Sequence, residues 1–460
     1  MRRATKRWHS CEAAIPSPGN LRVIRWPTRP AMPPTRRRRL QRVLIATYDH
    51  MNTNEVEVPE VNDLDPIFLS YRHSDGDALA AKMVWVLRSY GVPVWHDQTH
   101  LPPGQFHRRL DEALNSGLSG AVLLVTPDMV RSEIVRDQEL PALLALEADS
   151  AFTFAIGNVI TDAAGVLDYG APDRLLPQPG WTLQGFDQFA VTNHSGMAKL
   201  AGEMAVRRVR RAAPDGQLRL DVQTRLPALG TPKAPLAVRT RSPLPGTSVP
   251  PPEAWEDIAP FLADLPRLVQ AAGADRVQVT GGAHLSVAFA LGAAVPTTSG
   301  LAVSIVDLEG QVWGAGTAPS VELVEAEVVL GDAADGPTAV YLDLVPAPPN
   351  KEFRRYAESR SFSRAVEITV AEREVIPAEA GLALVRELRR RIGEIAVGGP
   401  VHLFLRAPFP VAVLLGRACN TLRVVLYEWE RETDTPRYVE MATVSAGRSG
   451  SPVISWTSGR

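Results

Sequence analysis

Four short apolar runs dominate the first half of the chain: PIFLSY (66–71), VPVWHD (92–97), AVLLVT (121–126) and FTFAIGNV (152–159). Stretches with apolar residues at helical spacing separate them, at about 77–90, 105–116 and 129–147. Strands that alternate with helices favour one architecture, a parallel sheet wound on both faces, because parallel neighbours need a long crossover and a helix supplies it. In the first helical stretch Leu79, Met83, Val86, Leu87 and Tyr90 share one face, with Asp77 expected as the N-cap and Gly91 as the stop. Polar residues gather where strands end: Ser70, Tyr71, Arg72 and Asp75 after the first, His96 and Asp97 at the second. In open α/β sheets that edge is where ligands bind.

Residues 213–253 are rich in proline and poor in long apolar periods. PLPGTSVPPP reads as loop or linker, and LRLDVQTRL (218–226) as an edge strand leading into the next domain. Beyond it the chain repeats itself. RVQVTGGAHLSVAFALGAAV (276–295) and VHLFLRAPFPVAVLLGRACN (401–420) align without gaps when Gly292 is set opposite Gly416, which pairs Val279 with Leu403 and Ala283 with Ala407. Each copy reads as a buried strand, a Gly/Pro turn and an Ala-rich helix packed closely at a glycine, followed by another strand. Two Rossmann-like halves in tandem are the economical reading. The expected organisation is a leader (1–61), a first globular domain (62–212), a linker with a leading strand (213–253) and a second domain (254–460) in halves of about 254–345 and 346–460.

A net charge of −2 argues against a DNA-coating role. The longest apolar stretch, LSVAFALGAAV (285–295), falls short of the ~20 residues that cross a bilayer. The two cysteines, Cys11 and Cys419, lie far apart, so a disulfide framework is not expected and a cytoplasmic location is. The first 50 residues carry the run Arg36–Arg39 and only two acids, Glu12 and Asp49; a basic arm, a transit-like peptide and upstream sequence preceding a start at Met32 or Met51 all stay open. Neither GxGxxG nor a P-loop occurs, and His96 and His107 are not spaced as metal ligands, so no metal is expected.

Phe68-Leu69-Ser70-Tyr71-Arg72 with Asp75, Val94-Trp95-His96-Asp97 followed by Leu101-Pro102-Pro103-Gly104, Val125-Thr126-Pro127, and Ser132 followed by Glu139-Leu140 stand in the order and spacing of a TIR domain, which this region resembles. The resemblance implies a flavodoxin-like sheet and, in NAD-cleaving members, a catalytic glutamate on the last of these helices. Glu139 is the best match. The usual tryptophan is missing and the segment has one residue more than the family's common spacing, so Glu133 stands as the alternative. NAD+ would then be the substrate, not a cofactor, with Ser70, Tyr71, Arg72, Trp95 and Asp97 around its ribose, phosphates and rings. Trp95 also reads as core, and Asp97 as a capping residue.

In the second domain Gly281-Gly282-Ala283-His284-Leu285-Ser286, His402-Leu403-Phe404-Leu405-Arg406-Ala407-Pro408 and Val424-Val425-Leu426-Tyr427-Glu428-Trp429 resemble a SAVED domain, a family built of two CARF-like halves that sense cyclic oligonucleotides in anti-phage signalling. That implies a cyclic tri- or tetranucleotide activator held by Gly281, Gly282, His284, Leu285, Arg406, Pro408 and Tyr427. Free amides at the two helix starts would take phosphates, Arg406 would pair with a phosphate, and Tyr427 or Trp313 would stack on a base. The combination implies an NAD+ hydrolase activated by ligand-driven self-association into an oligomer or filament. A non-catalytic TIR scaffold and a cyclase making a cyclic ADP-ribose signal are the alternatives.

Overall fold

The computed structural model describes residues 62–95, 112–114, 116–212, 215–225, 234–330, 336–348, 351–396, 399–433, 435–447 and 452–456. Strands β1 (Ile67–Ser70), β2 (Val94–Trp95), β3 (Gly120–Val125), β4 (Thr153–Asn158) and β5 (Gln188–Ala190) form a parallel sheet ordered β2-β1-β3-β4-β5. β3 and β4 are buried along their whole length, as central strands covered on both faces must be. Helices α1 (His73–Ser89), α2 (Leu140–Glu147), α3 (Ala171–Leu175) and α4 (His194–Ala212) complete this unit. The strand order reverses between β1 and β3, and beyond the carboxyl ends at such a switch point open α/β sheets bind their ligands.

The local signals in this unit held in part. α1 starts five residues earlier than the capping signal suggested: Arg72 is its N-cap residue, and Asp77 instead pairs with His73 Nδ1 at 2.8 Å inside the helix. Gly91 does end the helix, with a φ of 76° that an L-side chain rarely adopts. The helix expected over 129–147 is broken into a 3₁₀ turn (Pro127–Arg131), a π turn (Val135–Glu139) and α2. Most of the helix expected at 105–116 lies outside the described residues.

The second unit has two sheets. β6 (Gln217–Gln223), β7 (Leu236–Arg239), β8 (Arg276–Gly282), β9 (Ala302–Val306) and β10 (Val312–Trp313) are ordered β10-β9-β8-β6-β7, with α5 (Pro252–Ala271) before β8 and α6 (Leu285–Ala294) after it. β11 (Leu323–Glu327), β12 (Thr338–Asp343), β13 (Arg364–Val370), β14 (Val401–Arg406), β15 (Val424–Glu430), β16 (Arg437–Ala446) and β17 (Pro452–Trp456) are ordered β11-β13-β12-β14-β15-β16-β17, with α7 (Glu352–Glu358), α8 (Gly381–Ile395) and α9 (Phe409–Ala418) between strands. The strand expected at the sheet edge, β6, is interior: β8 pairs with one side of it and β7 with the other. Its period-2 pattern with one polar face reads as an edge, and only β7, which the proline-rich stretch disguised, covers that edge.

The duplication is visible in register. Leu220 of β6 faces Val279 of β8, and Val340 of β12 faces Leu403 of β14. α6 and α9 cross at their glycines. A Cβ on Gly292 would stand 1.9 Å from the Val413 carbonyl oxygen, and one on Gly416 2.0 Å from that of Phe289. The two clashes are mirror contacts of the same alignment, so the helices meet about a pseudo-twofold axis. Every residue of α6 is buried.

The two units share one core, in which α1, α4 and α5 pack together. The Tyr90 ring meets Phe261 edge-on at 5.8 Å, and its hydroxyl donates to Asp264 Oδ2 at 2.9 Å. Arg208 of α4 is buried, giving hydrogen bonds to the Pro235 and Asp65 carbonyls and to Ser119 Oγ. Burial pulls its pKa down to about 10. No helix among the described residues is long and apolar enough to cross a membrane.

Candidate functional site

The carboxyl ends of β1 and β3 hold the first site. β1 ends at Ser70, 1% exposed, whose Oγ donates to Glu139 Oε2 at 2.7 Å. Glu139 reaches it from the last residue of the π turn. A π turn holds more residues than an α turn, and such bulges cluster at functional sites. Here it brings the Glu139 carboxylate round to β1. Glu133 is exposed and lies ahead of the π turn. Of the two candidate carboxylates, the hydrogen bond from Ser70 goes to Glu139.

A second set of bonds ties the start of α1 to the exit of β3. Asp75 accepts from Thr126 Oγ1 and from the Asp128 amide, both at 2.8 Å. Arg72 Nε donates to Ser74 Oγ at 2.9 Å, and Ser74 Oγ donates to Asp128 Oδ2 at 3.1 Å. Tyr71 is half-buried, its ring 5.0 Å from that of His73. Trp95 is half-buried against the core with its ring centroid 5.8 Å from that of Phe68, which is the packing role its alternating strand suggested. Asp97 lies outside the described residues. Thr126 stood in the motif that carries the resemblance but was given no site role, and Asp128 was not singled out; their signal is two hydrogen-bonding residues shortly after a buried strand.

The second site is a cleft of about 860 Å³ between the two halves of the second unit. The starts of α6 and α9 face each other across it, with Gly281, Gly282, Ala283 and Leu285 on one side and Ala407, Pro408, Phe409 and Pro410 on the other. Arg225 and Arg239 bring positive charge, Asp221, Asp307 and Glu309 bring negative charge, and Trp313 lines the wall. Arg239 pairs with Asp221, and Asp307 accepts from Trp313 Nε1 at 2.8 Å. The two arginines, at the carboxyl ends of β6 and β7, were not singled out: Arg225 lies in the stretch read as an edge strand and Arg239 in the proline-rich stretch after it.

Of the seven residues expected at the ligand, Gly281, Gly282, Leu285 and Pro408 line this cleft. The other three stand back from it. His284 is buried, with Nδ1 2.9 Å from Thr224 Oγ1 and Nε2 3.1 Å from the Ser248 carbonyl, and burial holds its pKa below the ordinary value. Arg406 pairs with Asp343 at 3.2 Å and donates to the Pro348 carbonyl at 2.8 Å, while Arg373 takes the same carboxylate at 3.1 Å. Arg406 thus fixes the loop that carries the wall residues Leu344 and Pro346. Tyr427 points to the other face of its sheet, stacked on Phe404 at 4.2 Å and bonded to His402 Nδ1 at 2.8 Å.

The helix starts are also less open than expected. At α6 the His284 amide donates to Thr224 Oγ1 and the Ser286 amide to Glu428 Oε1, at 2.8 and 2.7 Å. At α9, Pro408 and Pro410 have no amide hydrogen to give. The positively charged side chains that line this cleft are Arg225 and Arg239.

Residues 67–158 match the TIR domain family, and residues 261–444 match SAVED, the "SMODS-associated and fused to various effectors sensor domain". Among solved structures, the chain is similar to the Acinetobacter baumannii Cap4 SAVED/CARF-domain containing receptor with the cyclic trinucleotide 2′3′3′-cAAA, at 12% identity and a TM-score of 0.39, over 74% of this chain and 86% of that one. The same receptor with 3′3′3′-cAAA gives 12% and 0.40 over 75% and 86%. The Moraxella osloensis Cap4 receptor gives 12% and 0.38 over 80% and 98%. No curated protein matches the chain.

Proposed function

We propose that this chain, which joins a TIR domain to a SAVED sensor domain, is a cyclic-oligonucleotide-activated NAD+ glycohydrolase of an anti-phage signalling system in the cytoplasm. The observation that carries the enzymatic half is the Ser70–Glu139 hydrogen bond at the sheet's switch point. Cleavage breaks the bond between ribose C1′ and the pyridinium nitrogen, whose electron pair returns to the ring, so nicotinamide leaves neutral and needs no proton. Water adds to C1′ and releases one proton, giving ADP-ribose. A single carboxylate beside the cationic ribose therefore suffices, whereas ordinary glycosidases need a second to protonate the leaving oxygen. Fixed negative charge in a drying crevice contributes several kcal/mol to such a step.

The activator is a cyclic tri- or tetranucleotide in the interhalf cleft, its phosphates against Arg225 and Arg239; Trp313, 3% exposed, leaves no ring face for a base. Its binding drives self-association, and neighbouring TIR domains complete each other's NAD pockets. Purified protein incubated with NAD+ and a panel of cyclic di-, tri- and tetranucleotides tests this. Nicotinamide and ADP-ribose should form only with an activating member. No nicotinamide with any member overturns the enzymatic reading and leaves the scaffold. Cyclic ADP-ribose in place of ADP-ribose makes the protein a cyclase.

A further inference from the structure

One helix, α1, reaches from the cleft side to the carboxylate site. The carboxyl end of α1 is bonded to β7, the edge strand of the first sensor sheet, in two places. Ser89 Oγ donates to the Arg239 carbonyl at 3.2 Å, and the Ala237 amide donates to the Gly91 carbonyl at 2.8 Å. The fit is close enough that a Cβ on Gly91 would stand 2.7 Å from Leu236 Cβ. Arg239 itself lines the cleft. The other end of α1 is tied through Asp75 to Thr126 and Asp128, whose segment continues to the π turn and Glu139. α1 has 17 residues, about 25 Å of helix, and its Met83, Val86 and Leu87 are fully buried.

We propose that α1 transmits occupancy of the cleft to the Glu139 site within one chain, with Ser89 and Gly91 as positioning residues at the input end and Asp75 at the output end. The proposal rests on the two sites read above. A ligand anion that draws Arg239 away from Asp221 displaces β7, and α1, bonded at both ends, carries that displacement to the Thr126–Asp128 segment. Coupling requires that both sites bias the same element, and α1 meets that condition by direct hydrogen bonds at each end.

Hydrogen–deuterium exchange on the full chain tests it without relying on a ligand. Arg239→Ala supplies the perturbation at the cleft, and the expected result is altered exchange at 133–139. Combining it with Ser89→Ala should weaken that distal change about threefold, the worth of one neutral hydrogen bond. Combining it with Gly91→Ala should weaken it at least about tenfold, as the added Cβ cannot be accommodated at β7. If Gly91→Ala lowers folded yield, the milder Ser89→Ala decides alone. An unchanged response at 133–139 to Arg239→Ala, or one of full size in the Ser89→Ala background, overturns the proposal. Adding 3′3′3′-cAAA and NAD+ separates the two readings: a distal response without nicotinamide release leaves the coupling standing and removes the proposed activity.

Discussion

Ser70 and Glu139 are 69 positions apart and meet at 2.7 Å. A hydrogen bond to a charged acceptor is worth about 2 kcal/mol, so Ser70→Ala should lower kcat by roughly thirtyfold through loss of the bond that orients the carboxylate. Glu139→Gln keeps the shape and removes the charge; nicotinamide release should fall about a thousandfold while ligand binding is retained. Glu133→Gln, at an exposed position ahead of the π turn, should leave turnover within about twofold. Chromatographic assay of nicotinamide from the three variants, with cyclic-nucleotide binding measured in parallel, checks all of this. The reverse ranking of the two glutamates would make Glu133 the catalytic group.

At the scale of elements, the α6–α9 crossing is the joint on which the sensor cleft is built. Gly416→Leu drives a side chain into the Phe289 backbone and should cost about 3 kcal/mol, a fall in Tm of roughly 6–12 °C by calorimetry. Gly282→Ala, whose Cβ meets nothing within 4 Å, should leave Tm within about 1 °C. This joint was legible in sequence because two glycines fell at matching places in two apolar repeats. The parallel first sheet was legible for a similar reason, since its strands are buried runs separated by helical periods. Tyr427 was not assigned correctly to the cleft side, though the signal existed: in β15 Leu426 and Glu428 face α6 while Tyr427 alternates to the other face. β7 was hidden by prolines, and with it Arg239. The Ser70–Glu139 contact depended on a π turn, which leaves no period that an apolar pattern can show.

Across the whole molecule, burial sets a pH dependence. His284 and His402 have pKa values lowered from the ordinary 6.5, in both cases chiefly by burial. The fold therefore takes up protons on them at lower pH than the unfolded chain, whose histidines titrate near 6.5. The unfolded state then binds more protons than the folded one, and stability drops with falling pH by up to about 1.4 kcal/mol per pH unit for each histidine. The carboxylates act lower down and in both directions. Asp65 and Glu147 are raised by burial, which favours the fold as pH falls, whereas Glu387 is held at about 2 by Arg390 and Arg391, which disfavours it. The window from about pH 6.5 to 5.5 thus belongs to the two histidines. Tm should be lower at pH 5.5 than at 7.5, and His402→Phe, which keeps a ring beside Phe362, should shrink that difference. A Tm that stays level or rises between pH 7.5 and 5.5 would mean that the fold does not lower the proton affinity of these imidazoles. The loss should be shared by both units, since α1, α4 and α5 lie in one continuous core with the strands that carry the histidines' neighbours.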